Sequence, residues 1–411
     1  MRVLIAGAGI GGLTAALSLH AAGIEALVAE SAAKLAPSGV GINLLPHAVR
    51  ELTELGLGDE LAATAIPTGE MVHFDRHGGR IWGEPRGTRL GYRWPQYSVH
   101  RGELQMILLA AVRSRLGDGA VREGTPLESF DESPTGVRAR LRGDDTVTAD
   151  VLVGADGLHS RVRARLHPGE PPPLWNGIRM WRGLTEAEPF LTGRTLAVAG
   201  SNSRAKFVVY PVSERNGRAL LNWVAEVRLP DGSPGPADWD RTGNLGEVLP
   251  HFADWRFDWL DVPALLKSTG QILQYPMVDR DPLPFWSRGR VTLLGDAAHP
   301  MYPIGSNGGS QAILDARVLA YELARAASPA EGLAAYDRAR RETVNAIVLA
   351  NRRMPADRVL HMVGERAPHG FARIEDVLTA EELAAITGAY RQTSFADAEA
   401  LNARPSWGGG S

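Results

Sequence analysis

The chain has 411 residues, enough for two hydrophobic cores rather than one. A formal net charge of -3 with only three lysines (Lys34, Lys206, Lys267) excludes a polyanion-binding surface, so no nucleic-acid partner is expected. The absence of cysteine removes disulfides, thiolate metal sites and cysteinyl nucleophiles together, so no metal centre is expected and a reducing cytoplasm fits.

Met1–Gly23 is apolar enough to resemble a secretion leader, but Gly7, Gly9, Gly11 and Gly12 interrupt it and no cleavage pattern follows. No window approaches ~20 uninterrupted apolar residues, so no membrane span is expected. Val3–Ala6 predicts a buried strand, Gly7-Ala-Gly9-Ile-Gly11-Gly12 a turn, Leu13–Ala22 a helix, and Ile24–Ala29 a second strand ending at Glu30. Strand, G-x-G-x-x-G, helix, strand and acid, in that order, form a dinucleotide-binding unit. Gly7 permits the tight turn, Gly9 lets backbone approach a pyrophosphate, and Gly12 lets the helix pack on the strand. Glu30 binds ribose hydroxyls in such a unit and repels a 2′-phosphate. The tenant is therefore FAD or NAD rather than NADP, and the unit alone does not choose between them.

Gly39-Val-Gly41-Ile-Asn43-Leu-Leu-Pro46-His47 follows, then a helix over about 48–55. His47 reads either as a solvent-facing residue of the first helical turn or as a general base near a flavin edge. Short strands are expected at Met71–Phe74 and Arg80–Trp82, and a helix from His100 to about Leu116. Arg101, at that helix start, is a candidate for cofactor phosphate or sugar-alcohol groups, with an exposed arginine as the plain alternative. Leu127–Phe130, Gly136–Leu141 and Thr146–Ala149 predict an antiparallel meander, and Val151–Gly154 another buried strand. That strand ends in Ala155-Asp156-Gly157 before a helix carrying Arg161, Arg163 and Arg165, expected as a solvated face.

Seven of the ten tryptophans lie between Trp175 and Trp286. Strands are expected at Gly177–Leu184, Thr195–Ala199, Ala205–Val212 and Ala219–Val227, then a loop over 229–246 and a helix near Glu247–Trp255. This predicts a mostly antiparallel, aromatic-rich sheet inserted into the nucleotide-binding fold. Aromatic residues on one strand face pack a core or, on a sheet that lids a cofactor, hold a flat substrate. Both readings stand for Trp181, Tyr210 and Trp223.

Val291–Leu294 reads as a strand ending at Gly295–Asp296, and Pro303-Ile-Gly305-Ser-Asn307-Gly308-Gly as a glycine-rich run opening a helix. A carboxylate at a strand end accepts hydrogen bonds from sugar-alcohol hydroxyls, and a helix N-terminus favours negative charge. A reduced flavin needs both. Helices are expected at Ala316–Ala327, at Ala330–Ala350 through Arg352, and at Leu383–Thr387, with Tyr336–Arg341 as an exposed helix face packing on the first domain. The closing Trp407-Gly-Gly-Gly-Ser411 carries no expected function.

Three segments together resemble a known family: Gly7-Ala-Gly9-Ile-Gly-Gly12 with Glu30, Ala155-Asp156-Gly157 through Arg163, and Gly295-Asp296-Ala-Ala-His299 through Pro303-Ile-Gly305-Ser-Asn307-Gly308. They look like the single-component FAD-dependent aromatic hydroxylases of the p-hydroxybenzoate hydroxylase fold, over residues 1 to about 350. Tyr97–Val112 and Ile272–Pro284 are similar to the 5-methylphenazine-1-carboxylate monooxygenase branch of that family.

The resemblance implies an α/β chain. Its Rossmann-like FAD domain would be discontinuous (1–68, 98–175, 285–355), its substrate domain would span 69–97 and 176–284, and 356–411 would form a helical tail. It further implies that Gly7, Gly9, Gly12 and Glu30 hold the ADP half of FAD, Arg101 the ribityl–phosphate region and Asp296 the ribityl hydroxyls. Backbone at Gly305, Asn307 and Gly308 would face the flavin N1–C2=O edge, with Pro303 beside the oxygen-activating face. Asp156, Gly157 and Arg163 would support FAD and a transient nicotinamide donor. NADH or NADPH would reduce the flavin, O2 would add at C4a, and the hydroperoxide would oxygenate a small aromatic substrate. His47 would serve as base toward a phenolic substrate, with Tyr210 also at the reacting ring. A reductase on the same fold is the alternative. A monomer or homodimer is expected.

Overall fold

The computed structural model describes residues 1–143, 145–229, 241–385 and 397–407. The loop expected over 229–246 and the helix over 383–387 lie partly outside these residues, as do the last four positions.

The chain opens with β1 (Arg2–Ala6), α1 (Ile10–Ala21) and β2 (Glu25–Ala29). Then come β3 (Gly41–Leu44), α2 (Pro46–Glu54), β4 (Glu70–Phe74), β5 (Arg80–Pro85), β6 (Tyr97–His100), α3 (Arg101–Leu116) and β7 (Val121–Arg122). A meander of β8 (Leu127–Ser133), β9 (Gly136–Leu141) and β10 (Thr146–Ala149) precedes β11 (Val151–Gly154) and α4 (Arg161–Leu166). Four strands follow: β12 (Leu174–Ala187), β13 (Thr195–Gly200), β14 (Ala205–Arg215) and β15 (Arg218–Arg228). The chain continues through α5 (Val262–Lys267), β16 (Ile272–Asp279), β17 (Ser287–Arg288), β18 (Val291–Leu293), α6 (Asn307–Arg325), α7 (Pro329–Arg353) and α8 (Pro355–Arg366).

Two sheets organise these elements. The first has the order β17-β18-β11-β1-β2-β7 and is parallel except at its β17 edge. Its central strands are apolar because both faces are covered, and α1 and the β8–β10 meander both pack on them. Parallel pairing sets Gly154 level with Leu293, so β11 and β18 release their next residues at the same edge. Asp156 and Asp296 therefore leave neighbouring strand ends.

The second sheet runs β16-β12-β15-β14-β13-β4-β5, with only β13 and β4 parallel. Side chains alternate across it with period two. Its outer face carries Trp181, Phe207 and Trp223, packed with Phe252, Trp255, Val262 and Leu266. Its inner face carries Met180, Arg182, Val224 and Tyr275, packed with Tyr302 and Ile304 of the segment before α6.

Trp181 and Trp223 are accordingly core residues, 1% and 0% exposed, and the substrate reading of both is corrected. The Trp223 ring lies against Gly183, where an added Cβ would come within 2.6 Å of it, and its indole N–H donates to Thr269 and Thr185. A second correction concerns Tyr336–Arg341. Tyr336 is buried and donates to the Leu293 carbonyl, and Asp337 accepts the backbone N–H groups of Trp286 and Ser287. Arg338 and Ala339 are exposed as expected, but Tyr336 and Asp337 are buried and clamp β17 and β18 against α7. β16 was not expected as a strand; α8, at the start of the expected helical tail, packs Val359, Leu360 and Val363 onto the sheet beside Val198 and Tyr210.

Candidate active site

The glycine turn after β1 has three different reasons for its three glycines. Gly7 has φ +103° and faces the Ala155 carbonyl, 2.5 Å from where a Cβ would sit. A Cβ on Gly12 would lie 2.0 Å from the Gly7 carbonyl oxygen, so only glycine lets α1 start this close to β1. Gly9 instead faces open space, with nothing within 4 Å of an added Cβ. Glu30, at the end of β2, accepts the N–H of Ala8 at 2.7 Å and of Ala32 at 2.7 Å. That locks the carboxylate beside the turn; Oε1 also accepts Ser31 Oγ at 2.9 Å, while Oε2 keeps a lone pair for a further donor. Gln105 of α3 braces the same turn by donating to the Ala8 carbonyl.

Asp296 follows β18 in a short helical turn over Gly295–Ala297. Its side chain reaches solvent, yet desolvation by the surrounding protein raises its pKa above the ordinary carboxylate value, against the pull of His299 and Arg101. Asp296 is thus open to solvent yet crowded closely enough by protein for its charge to be penalised, the setting of a carboxylate in a cleft. Arg101 is exposed above it, and its guanidinium has no hydrogen-bonded side-chain partner among the described residues. The backbone of Arg101 is fixed by donation to the Val40 carbonyl. Behind Asp296, α6 begins after Gly305 and Ser306, both left-handed, and no side chain caps it. Its first-turn N–H groups lack intrahelical partners, and Gly308 faces open space. Asn307 is buried with its side chain turned back toward Gly305 and Gln311, so backbone rather than amide is offered at that end.

The turn is braced by a group that sequence reasoning missed. Asp315 of α6 accepts His299 Nε2 at 2.5 Å, Arg340 Nε at 2.8 Å and the Gly295 N–H at 3.2 Å. Burial works to raise its pKa, but His299 and Arg340 outweigh it and hold the carboxyl below its usual value. The available signal was an acid on an otherwise apolar helix face, four residues after Gln311, which Arg340 also binds.

Asp156 caps α4, accepting Ser160 Oγ at 2.5 Å and the Arg161 N–H at 2.8 Å; burial nonetheless raises its pKa. Gly157 turns the chain with φ +75°. Arg163 is corrected twice: it is neither solvated nor free for a cofactor. Its guanidinium, 2% exposed, donates to both oxygens of Glu170 and to the carbonyls of Ala297, Ala298 and Asp281. All five donors are committed, and two of them hold the residues that follow Asp296.

His47 is buried, not solvent-facing. Burial first, then Arg340 and Arg404, lowers its pKa to about 3, and its Nε2 has no hydrogen-bond partner. This environment opposes the proton uptake a general base performs. Pro303 is exposed at the mouth of the cleft. Tyr210 is buried on the inner sheet face and donates to the Gly41 carbonyl at 2.9 Å; burial raises its pKa, so it stays a neutral phenol. Gly41 also receives Arg182, and its own N–H donates to Asn222 at 2.7 Å. An added Cβ there would meet Val212 and Asn222 at 2.6 and 2.7 Å, which is how β3 docks so tightly on the second sheet.

The cleft thus gathers the glycine turn, Glu30, Arg101, Asp296 and the α6 N-terminus along one sheet edge, and these fit FAD. Open space at Gly9 leaves room for a pyrophosphate, a solvent-reaching carboxylate suits ribityl hydroxyls, and an uncapped helix start suits an anionic flavin edge. Comparison with known proteins agrees. Residues 1–173 and 274–351 match the FAD binding domain family. The chain is 52% identical over 402 residues to a phenazine 1,6-dicarboxylic acid hydroxylase of Lysobacter antibioticus, covering 95% of this chain and 96% of that one. It is 33% identical over 350 residues to 3-hydroxybenzoate 6-hydroxylase 1 of Aquipseudomonas alcaligenes, covering 82% and 84%. The structure is similar to that of Klebsiella pneumoniae R204Q HpxO complexed with FAD, with a TM-score of 0.77, 27% identity and coverage of 96% and 98%. The chain belongs to the FAD binding domain family and is an FAD-dependent aromatic hydroxylase.

Proposed function

We propose that this chain hydroxylates a carboxylated phenazine or a closely similar N-heteroaromatic ring, as the 5-methylphenazine-1-carboxylate branch of the family does. The balance is one ring C–H, O2, NAD(P)H and a proton going to C–OH, NAD(P)+ and water. The observation that carries the reading is Asp296, a solvent-exposed carboxylate close enough to Arg101 to feel its charge, in the segment that leads to the uncapped start of α6. Substrate class rests on the similarity to the Lysobacter hydroxylase over nearly the full length.

Gly7, Gly9, Gly12 and Glu30 would hold the ADP half of FAD, Arg101 and Asp296 its central chain, and backbone at Gly305–Gly308 its ring edge. When bound, FAD supplies hydride acceptance and oxygen transfer. The chain's own residues bind, orient and exclude water. The inner face of the second sheet, with Met180, Val208 and Val224, would roof the ring against solvent, and Pro303 would border the reacting side. Residues 1–68, 98–175 and 285–355 would form the FAD-binding part, 69–97 and 176–284 the roof, and 356–411 the C-terminal helical segment and tail.

The test is turnover of phenazine-1-carboxylate by the flavin-loaded protein with NADH under 18O2. One labelled oxygen in the ring product is expected. NADH consumption that yields only peroxide across phenazine, quinoline, anthranilate and salicylate carboxylates would overturn the assignment.

A further inference from the structure

We propose that Asp279 and Arg352 are positioning residues for the hydroxylation. Their ion pair pins the second sheet to the segment at the flavin edge, and that pin keeps water out, so that turnover ends in a hydroxylated ring rather than in peroxide. The inference deepens the hydroxylase reading and rests on it.

α7 is bolted to the first sheet along its first half. Tyr336 donates to the Leu293 carbonyl, Asp337 holds the backbone of Trp286 and Ser287, and Arg340 reaches Asp315. The last turn of the same helix grips other partners. Arg352 donates from Nε to Asp279 Oδ2 at 2.6 Å and from Nη2 to Oδ1 at 3.1 Å, a two-pronged hold on a side chain that is 0% exposed. Its Nη1 takes Asp281 at 2.7 Å. One residue earlier, Asn351 donates to the Tyr302 carbonyl at 3.4 Å. The helix then stops at Met354, whose left-handed backbone (φ +44°) turns the chain into α8. A single turn of α7 thus holds both the end of β16 and the residue that precedes Pro303 and Ile304.

Among the described residues, one other ion pair joins a strand of the second sheet to a helix packed on the first. It is Arg215 with Glu103 of α3, 3.6 Å long with the arginine side chain 80% exposed, and an exposed pair of that kind holds little. Asp279 differs, because a fully buried carboxylate is tolerated only with its partner in place. Tyr302 shows how near the pin lies to the chemistry. Its ring packs under the second sheet with Met180, Tyr275 and Met277, and its phenol pKa is pushed up to about 12 by burial first and then by the Asp279 carboxylate, against Arg352. Pro303 and Ile304 follow it, then the left-handed Gly305 and Ser306 and the uncapped start of α6. Parting Asp279 from Arg352 would let the sheet lift from Tyr302 and admit water at that edge. Excluding water is the share of oxygen transfer that the chain itself supplies, and a displacement of about 1 Å can cost about 100-fold.

The experiment compares flavin-loaded wild type with Asp279→Asn, Arg352→Met, Arg352→Lys and the double variant Asp279→Asn/Arg352→Met. Asp279→Asn keeps the size of the side chain and leaves Arg352 its contact with Asp281, so it should fold even where Arg352→Met does not. Melting temperature and flavin content serve as fold controls. With phenazine-1-carboxylate and NADH, both single variants should form ring product about 10- to 100-fold more slowly. KM should change little and NADH oxidation should fall far less, with peroxide making up the balance. Arg352→Lys should recover part of the coupling, and the double variant should be no worse than the worse single, because the two side chains act as one unit. Apart from turnover, acrylamide should quench the fluorescence of bound flavin more strongly in both single variants. An unchanged ratio of peroxide to product, or losses that only follow flavin content and melting temperature, would overturn the inference and leave the pair as a contact of the fold alone. So would a double variant that combines the two single losses in full, or equal quenching in wild type and Asp279→Asn. If wild type oxygenates none of the carboxylated rings, the substrate assignment has failed instead. The pin is then read from acrylamide quenching alone, where equal constants in wild type and Asp279→Asn overturn it.

Discussion

Replacing Asp296 distinguishes a carboxylate kept for a ligand from one kept for the fold. Desolvation raises its folded-state pKa, with His299 and Arg101 opposing. A raised value means stability that is fully present below the unfolded pKa, near 3.8, and lost as pH rises through the folded value. Near neutral pH the ionised group therefore works against the flavin-free fold. Asp296→Asn should raise the melting temperature of flavin-free protein near neutrality and leave it unchanged well below pH 3.8. Flavin affinity should move the other way. A hydrogen bond to a charged acceptor is worth about 1.5–3 kcal/mol, or about 10- to 150-fold in Kd, and Asp296→Ala forfeits it entirely. The assays are titration of FAD into flavin-free protein by fluorescence quenching, and circular-dichroism melts with and without flavin. Opposite signs in the two measurements are the expected result. A Kd within about threefold of wild type, or a flavin-free variant less stable than wild type, would refute the reasoning.

Gly12→Ala should cost about 1–3 kcal/mol in urea unfolding, because a Cβ 2.0 Å from the Gly7 carbonyl forces backbone to move, and purified variant should carry less flavin. Asp315→Ala should destabilise by about 3–5 kcal/mol by leaving Arg340 buried without its charge partner. Since the Asp315 pKa is depressed, that contribution is present above about 3.8 and lost as pH falls through the folded value. The difference in urea midpoint from wild type should hold steady from neutrality to mild acid and shrink only in strong acid. Trp223→Phe should lose about 0.5–3 kcal/mol of stability with KM unchanged; a raised KM at full stability would return Trp223 to the substrate site.

The nucleotide-binding half was legible because each of its devices is local. β9, β10, β10's neighbour β11 and the strand–turn–helix around Gly7–Gly12 depend on residues adjacent in the chain, so pattern alone located them. What local pattern could not say was which face of a strand meets which layer. Trp181 and Tyr210 both sit on strands that were expected, yet one packs outward beneath Trp255 and its neighbours and the other inward on Gly41. That choice is made by α5 and the turn near Phe252, far along the chain. A helical tail was expected, but not where α8 docks, for a similar reason: its apolar residues make sense only against Val198 and Tyr210, more than a hundred residues earlier. His47 shows the same limit in electrostatics, since Arg340 and Arg404 approach it from the other end of the sequence.

Arginine illustrates how far composition can mislead. With lysine nearly absent, arginine clusters invite dismissal as solvated surface, and Arg163 contradicts that most directly. Its five committed donors join α4 to the carbonyls just past Asp296, so the residue shapes the cleft without facing it. Arg340 does the same from α7 through Asp315 and Gln311. Once such braces are set aside by their carboxylate partners, the cations left for ligands are those whose charge the fold has not neutralised. Arg101 is one: exposed at the start of α3 and without a hydrogen-bonded side-chain partner among the described residues, it lies close enough to Asp296 to pull its pKa down, and its charge is available to an anionic cofactor.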